Sequence, residues 1–160
     1  MLRLDERAGL SDDGYLQRGG IFRNLPAGEA YIAPLETVRN GTIVFDGSLA
    51  GYGLLTTPVR VNVEPRPPFR GGHRLRRVAA RDARGRWAHG RSLAELGIGT
   101  NQAATLTGNV LEDEKVIGTI HLAFGTSAGM GGVNLAGVHI DGMVLRPRLN
   151  SMMPGHSLPT

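Results

Sequence analysis

Cysteine is absent from the 160 residues, which excludes disulfide frameworks, thiolate nucleophiles and every Cys-based zinc or iron-sulfur site. A metal in this chain must therefore be held by His, Asp and Glu. Aromatic residues are scarce at 5%, so the core has to rest on Val, Ile, Leu and Ala. No apolar run approaches the ~20 residues of a membrane-spanning helix. Residues 1–19 carry Asp5, Glu6, Asp12 and Asp13 among their arginines and lack the apolar stretch of a secretory signal. These absences imply no membrane contact and a cytoplasmic location. Lysine is nearly missing too: Lys115 stands alone beside seventeen arginines, a usage bias that by itself points to no ligand.

What is abundant is glycine, with 24 residues, and this favours a β-rich domain with tight turns over a helical bundle. The expected fold is α+β, a β-rich mixed or antiparallel sheet with a few short helices. Successive strands are expected at Ala30–Pro34, Thr42–Phe45 and Val59–Glu64, the last alternating cleanly, with turns at Asn40-Gly41 and Asp46-Gly47. This spacing suits an antiparallel meander. The apolar stretch Leu93 to Ile98 follows, and Thr100 or Asn101 is placed to cap a short helix running to about Leu106, closed by Gly108. Val116 to Phe124 reads as a strand, and Val133 to Leu145 as a longer strand or hairpin. Residues 1–27, with Ser11-Asp12-Asp13-Gly14 as a turn, look like the irregular remnant of an absent domain. Residues 28–146 form the expected metal-binding domain, and 147–160 an irregular tail.

The formal charge of +4 is unevenly spread. Ten arginines lie between Arg60 and Arg91 against Glu64 and Asp82, so that segment carries +8 and the other residues −4. Leu75, Val78 and Ala79 at helical spacing predict a short basic helix closing near Gly85. Only Phe69 and Trp87 offer stacking planes there, and no nucleic-acid motif is present, so the expectation is a solvated face and no nucleic-acid partner. Gly125 to Gly132 resembles a phosphate-cradling loop in composition but holds neither Gly-x-Gly-x-x-Gly nor Gly-Lys-Ser/Thr. It reads as a flexible loop. No Gly-x-Ser-x-Gly elbow supports a serine hydrolase.

Charged groups inside apolar strands carry the functional signal. His139 and Asp141 are two apart, so on a strand they project from one face while Val138 and Ile140 point the other way. His121 sits between Ile120 and Leu122, and Glu95 between Ala94 and Leu96. An unpaired buried carboxylate costs roughly several kcal/mol, and a divalent cation would compensate all of these groups at once. Each also has an ordinary explanation. A strand histidine is commonly a hydrogen-bonded core residue, His-x-Asp occurs by chance, Glu95 could accept from amides of a Gly97–Thr100 turn, and Glu29 could cap the turn after Pro26-Ala27-Gly28. Their co-occurrence is what favours a metal site.

The segments Asn24–Pro34, Asn40–Asp46, Ala94–Asn101, Asn109–Thr119, His121–Gly125 and His139–Asp141, in that order, resemble the C-terminal half of the thermophilic-type metalloaminopeptidases, the aminopeptidase T or M29-like leucyl aminopeptidase family. The resemblance implies a two-metal hydrolase site with Glu29, Glu95, His121, His139 and Asp141 as ligands. It implies zinc, cobalt or manganese as the metal, and peptides as substrates losing their N-terminal residue. A homodimer is compatible with it. The chain departs from the family in having no tyrosine between Thr126 and Gly132, a shorter gap from His121 to His139, and no N-terminal α/β domain. The 2,5-dihydroxypyridine dioxygenases are similar through His-x-Asp and imply a single non-haem iron that opens an aromatic ring. A third expectation is a non-catalytic, truncated remnant that binds peptides without cleaving them.

Overall fold

Strong β-formers recur between glycines along most of this chain, and in the computed structural model they pair almost entirely across long sequence separations. The structure describes residues 2–5, 7–17, 19–20, 22–36, 41–63 and 90–150. Nine strands are seen there: β1 (Leu10–Asp12), β2 (Glu29–Ile32), β3 (Gly41–Phe45), β4 (Ser48–Leu49), β5 (Gly53–Leu54), β6 (Val59–Val63), β7 (Leu93–Gly99), β8 (Thr119–Gly125) and β9 (His139–Leu145). One four-residue helix, α1 (Val110–Asp113), and a 3-10 turn over Ala128–Met130 complete the elements. The architecture is thus a mostly antiparallel seven-stranded sheet in the order β1-β2-β7-β8-β9-β4-β5, with a separate two-stranded β3-β6 sheet. Among the described residues no helix is long and apolar enough to cross a membrane.

Side-chain alternation sorts the central strands into two unlike faces. Leu96 pairs with Leu122 and Ile98 with Ile120, Phe124 pairs with Ile140, and Ile120 with Val144, so these aliphatic and aromatic side chains share one face. The two-stranded sheet covers it. In β6 the valines at 59, 61 and 63 alternate with the exposed Arg60 and Asn62, and Phe45, Val63, Leu93, Ile120 and Leu122 form the buried core. Phe45 meets Phe124 edge-on, ring centres 6.5 Å apart, an arrangement worth about 0.5–1.5 kcal/mol beyond its buried area. The opposite face carries Glu95, Gly97, His121, Ala123, His139 and Asp141.

Several local expectations are corrected. The first strands do not form a meander: β2 pairs with β1 and β7, whereas β3 pairs with β6. Consecutive pairing occurs instead along β7-β8-β9. Ser11 and Asp12 belong to β1, and the turn begins at Asp13, whose carboxylate accepts from Tyr15 N–H at 3.0 Å. No helix starts at Asn101. Its Oδ1 accepts from Ala103 N–H at 2.8 Å, but its Nδ2 donates to the Ala27 carbonyl at 2.7 Å and its backbone bridges to Val116, which holds the segment as a loop. The helix lies later, capped by Asn109, and Gly108 precedes it at φ 88° instead of ending one. The last long strand begins only at His139, because Asn134 turns inward and donates to the Gly125 carbonyl. The basic helix expected between Leu75 and Gly85 lies outside the described residues, as do residues 151–160.

Candidate metal centre

The polar face of the sheet is built from cross-strand rows. Leu10, Tyr31, Gly97, His121 and Met143 are successive partners on β1, β2, β7, β8 and β9. Asp12, Glu29 and Gly99 form the adjacent row, and Glu95, Ala123 and Asp141 the row on the other side. Beyond it, His139 pairs with Gly125. Small residues alternate with the functional ones, and this makes room. A β-carbon at Gly97 would overlap the His121 ring, which lies over that glycine. Glycine at 97 is therefore what lets the imidazole lean from β8 across β7 toward β2.

The segment after α1 closes the site. Asn109 accepts from Leu111 N–H and starts the short helix. The chain then crosses above Gly99, tied by Asn101 N–H to the Lys115 carbonyl at 2.8 Å and Ile117 N–H to the Asn101 carbonyl at 3.0 Å. This drives Glu114 and Lys115 into the face. Lys115 is wholly buried, with its Nζ 2.5 Å from Glu29 Oε1, 2.5 Å from Glu114 Oε1 and 3.7 Å from Asp12 Oδ2.

All five residues singled out in the sequence meet here. His121 Nε2 lies 3.4 Å from Glu29 Oε2 and 3.3 Å from Glu95 Oε1. His139 Nε2 lies 3.0 Å from Glu95 Oε2 and 3.4 Å from Asp141 Oδ1, while its Nδ1 faces the Thr126 carbonyl at 2.9 Å. Glu95 bonds to histidines and not to the amides of a Gly97–Thr100 turn, a stretch that is strand through Gly99. Glu114, Lys115 and Asp12 were not singled out. Asp12 has no apolar flanks and Glu114 follows an ordinary acidic helix turn. The one available signal was a solitary lysine in an arginine-rich chain.

Two groups of side chains could each hold a metal ion: Glu29, Glu114 and His121, and Glu95, His121 and Asp141. In each, the ligand atoms lie within 4.8 Å of one another, and His121 belongs to both. Five carboxylates meet here: Lys115 reaches Asp12, Glu29 and Glu114, the two histidines reach Glu95 and Asp141, and Arg23 lies 3.8 Å from Asp12. Carboxylates outnumber the fixed cations Lys115 and Arg23, so the balance falls to imidazole and carboxyl protons, and a metal ion could take the place of those protons. Unsatisfied atoms point the same way: Glu29 Oε2, His121 Nδ1 and Asp12 Oδ1 are buried without a hydrogen-bond partner among the described residues, a costly condition that a bound ion would relieve at the oxygens and imidazole.

The protonation states reflect this crowding. Burial, reinforced by Glu114, pushes the Glu29 carboxyl up to about 7 against the pull of Lys115 and His121. Burial also acts upward on Glu95, but hydrogen bonds from His121 and His139 outweigh it and hold that carboxyl at about 2. Hydrogen bonds to Asp141 and Glu95 raise His139 to about 10. Burial raises Glu114, with Lys115 opposing. For His121 burial acts downward, and the carboxylates of Glu95, Glu29 and Glu114 turn the net shift upward. Imidazoles that charge so readily beside carboxylates mark a site stabilised by added positive charge.

No protein-family model, curated protein or solved structure matches the chain. What the site can do must therefore be argued from its own donors. Asp113, close in sequence, is not part of it. Its buried carboxylate accepts from Ser48 Oγ at 2.5 Å, Thr107 N–H at 2.7 Å and Gly108 N–H at 3.1 Å, fastening α1 to β4. Elsewhere, lined by none of the candidate ligands, a cavity of about 520 Å³ opens between Leu10, Leu35, Arg7 and the turn at Met130. Arg7 is neutralised there by Glu36 at 2.7 Å, so the cavity is a mixed, uncharged cleft.

Proposed function

We propose that this chain is a metal-dependent, aminopeptidase-like hydrolase that removes N-terminal residues from peptides. The observation that carries the reading is the pair of side-chain triads that meet at His121, which gather four carboxylates and an imidazole where two cations could sit on either side of the ring. The ordered motif resemblance supports it as well, since the matched segments contain Glu29, Glu95, His121, His139 and Asp141. Glu29 and Glu114 would hold one ion and Glu95 and Asp141 the other, His121 serving the one its unprotonated nitrogen faces, with His139 Nε2 3.0 Å from Glu95 Oε2 and 3.4 Å from Asp141 Oδ1. Zinc, cobalt or manganese bound there would polarise the scissile carbonyl and lower the pKa of a bound water.

The chain's own groups set up that chemistry. Lys115 takes Oε1 of Glu29 and Oε1 of Glu114, and the second oxygen of Glu29 faces His121 at 3.4 Å. The Thr126 carbonyl fixes His139 through Nδ1, leaving Nε2 on the cluster. Such outer contacts orient ligands and commonly change metal affinity by 10- to 100-fold.

A second reading takes the Glu95, His121 and Asp141 group as a single centre, with His139 Nε2 3.0 Å from Glu95 Oε2 as a further donor beside it. Two histidines and one carboxylate also suit a mononuclear iron centre of the ring-opening dioxygenase type. Metal analysis of purified protein separates the readings. About two zinc, cobalt or manganese ions per chain support hydrolysis, about one iron supports ring opening, and none supports a non-catalytic remnant. Aminoacyl-anilide turnover that disappears in Glu95→Gln supports the hydrolase. Turnover equal to that of the unaltered chain would remove Glu95 from the site.

A further inference from the structure

The polar face presents acceptors almost everywhere, and its hydroxyl donors are few. Thr119 projects from β8 on this side, but its Oγ1 is committed to the Val116 carbonyl at 2.8 Å. Lys115 is committed to carboxylates. Of the three tyrosines, Tyr15 and Tyr52 are exposed at 50% and 80%, and neither lies on this face. Tyr31 does. It follows Glu29 by two residues on β2, pairs across to Leu10 on one side and Gly97 on the other, and is half-buried.

Gly97 contributes no side chain to the row, and the His121 ring leans over it. Nothing on that row therefore stands between the phenol ring of Tyr31 and the imidazole. The same strand brings Glu29 Oε2 to 3.4 Å from His121 Nε2, so Tyr31 is carried alongside the imidazole the two triads share. Among the described residues the Tyr31 hydroxyl makes no hydrogen bond, although partly buried tyrosine hydroxyls usually find a partner. It is an uncommitted neutral donor in a ring of acceptors.

We propose that Tyr31 donates a hydrogen bond from its phenol to the ligand held at this face, and specifically to the oxyanion formed during peptide hydrolysis. The second clause rests on the hydrolytic reading above. The water oxygen bonds to the carbonyl carbon, the π electron pair moves onto the carbonyl oxygen, and the water passes one proton to a carboxylate of the cluster. The carbonyl then reforms, the C–N bond breaks with its electron pair leaving on nitrogen, and the amine takes that proton. The phenol keeps its own proton throughout and stabilises the intermediate oxygen. A fixed donor of this kind acts where charge develops, which is where it is most effective.

The test is Tyr31→Phe, which removes the hydroxyl and keeps the ring. With zinc-supplied protein, kcat on an aminoacyl-anilide is expected to fall about 100-fold with KM within about twofold. Calorimetric titration with 1-aminoethylphosphonate, a tetrahedral oxyanion mimic, should show about tenfold weaker binding in the variant, while alaninamide, which is planar at carbon, binds both proteins equally. A role confined to packing would weaken both probes together and would overturn the proposal, as would unchanged kcat with unchanged phosphonate affinity. If the unaltered protein cleaves nothing, the hydrolytic reading fails separately and the phosphonate titration decides alone. Selective weakening in the variant then upholds the donor, and equal binding, or none by either protein, overturns it.

Discussion

Lys115 Nζ lies 2.5 Å from Glu29 Oε1 although 86 residues separate the two in the chain. The contact joins the segment after α1 to the second strand, and it is the only ammonium available to do so. Burying three acidic groups around one lysine is tolerable only while that lysine is present.

Lys115→Met tests this, since methionine matches the length of the side chain without its charge. Removing one partner of a buried ion pair costs about 3–5 kcal/mol. The loss should be greater at pH 8 than at pH 5, because Glu29 and Glu114 can be protonated at the lower pH and so shed part of the repulsion. Urea unfolding at the two pH values measures both effects. Equal stability of variant and parent at pH 8 would contradict the ion-pair role.

Stability of the metal-free protein should also depend on pH in a definite direction. Glu95, held at about 2, stabilises the fold above the ordinary carboxylate range and loses that contribution as pH falls toward 2. Glu29 is raised from 4.5 to about 7, so the folded state binds the extra proton and stability declines as pH rises across that window. At 1.36 kcal/mol per pH unit this decline amounts to about 3 kcal/mol. His139 is raised from 6.5 to about 10, and its contribution is complete below 6.5 and lost as pH rises through 10. Thermal unfolding without metal should therefore peak near pH 4.5–5 and fall into the alkaline range. Saturating zinc should reverse the slope between pH 5 and 7, since the ligands bind a cation only when deprotonated. A melting temperature in zinc that still falls over that interval would argue against the carboxylates as ligands.

The strands and the charged residues inside them were legible because alternation is a local property. Val59 to Val63 shows this, with valines inward and Arg60 and Asn62 outward. Partner choice was not legible. Glu29 pairs with Gly99, and no turn chemistry near residue 29 encodes a partner so distant in sequence. Asn101 shows how a local signal can mislead: its side chain does accept from Ala103 N–H as a helix cap would, but Ala27 and Val116 claim the rest of the residue. At the site, Glu95, His121, His139 and Asp141 were visible as polar groups among aliphatics. Asp12 and Glu114 were hidden because neither sits in an apolar run, and their burial comes entirely from what packs over them.

The Asp113 network predicts a purely structural effect. Asp113→Ala removes the acceptor for the Ser48 hydroxyl and for the Thr107 and Gly108 amides. Leaving buried donors unpaired costs about 1–3 kcal/mol each, so a loss of several kcal/mol is expected, with Ser48→Ala costing less. Because α1 positions Glu114 and Lys115, the variant should also bind zinc more weakly. Full zinc affinity in a destabilised Asp113→Ala protein would mean that α1 does not set the site.

Gly97→Ala separates room for the imidazole from its chemistry. The added methyl would occupy space that the His121 ring fills, and that ring is held between Glu29 and Glu95 with little freedom to withdraw. Either the ring rotates away from one carboxylate or β7 and β8 move apart. Both outcomes disturb the ligand common to the two triads, so zinc affinity should fall at least tenfold. Overpacking of this kind typically costs 1–3 kcal/mol in stability, a modest change compared with truncating the histidine itself. His121→Ala in the same background supplies the discriminating comparison. If Gly97→Ala acts by displacing His121, removing the imidazole from it should cost little further zinc affinity, whereas the same truncation in the parent should cost much more. Additive losses would show that the methyl perturbs the site by another route.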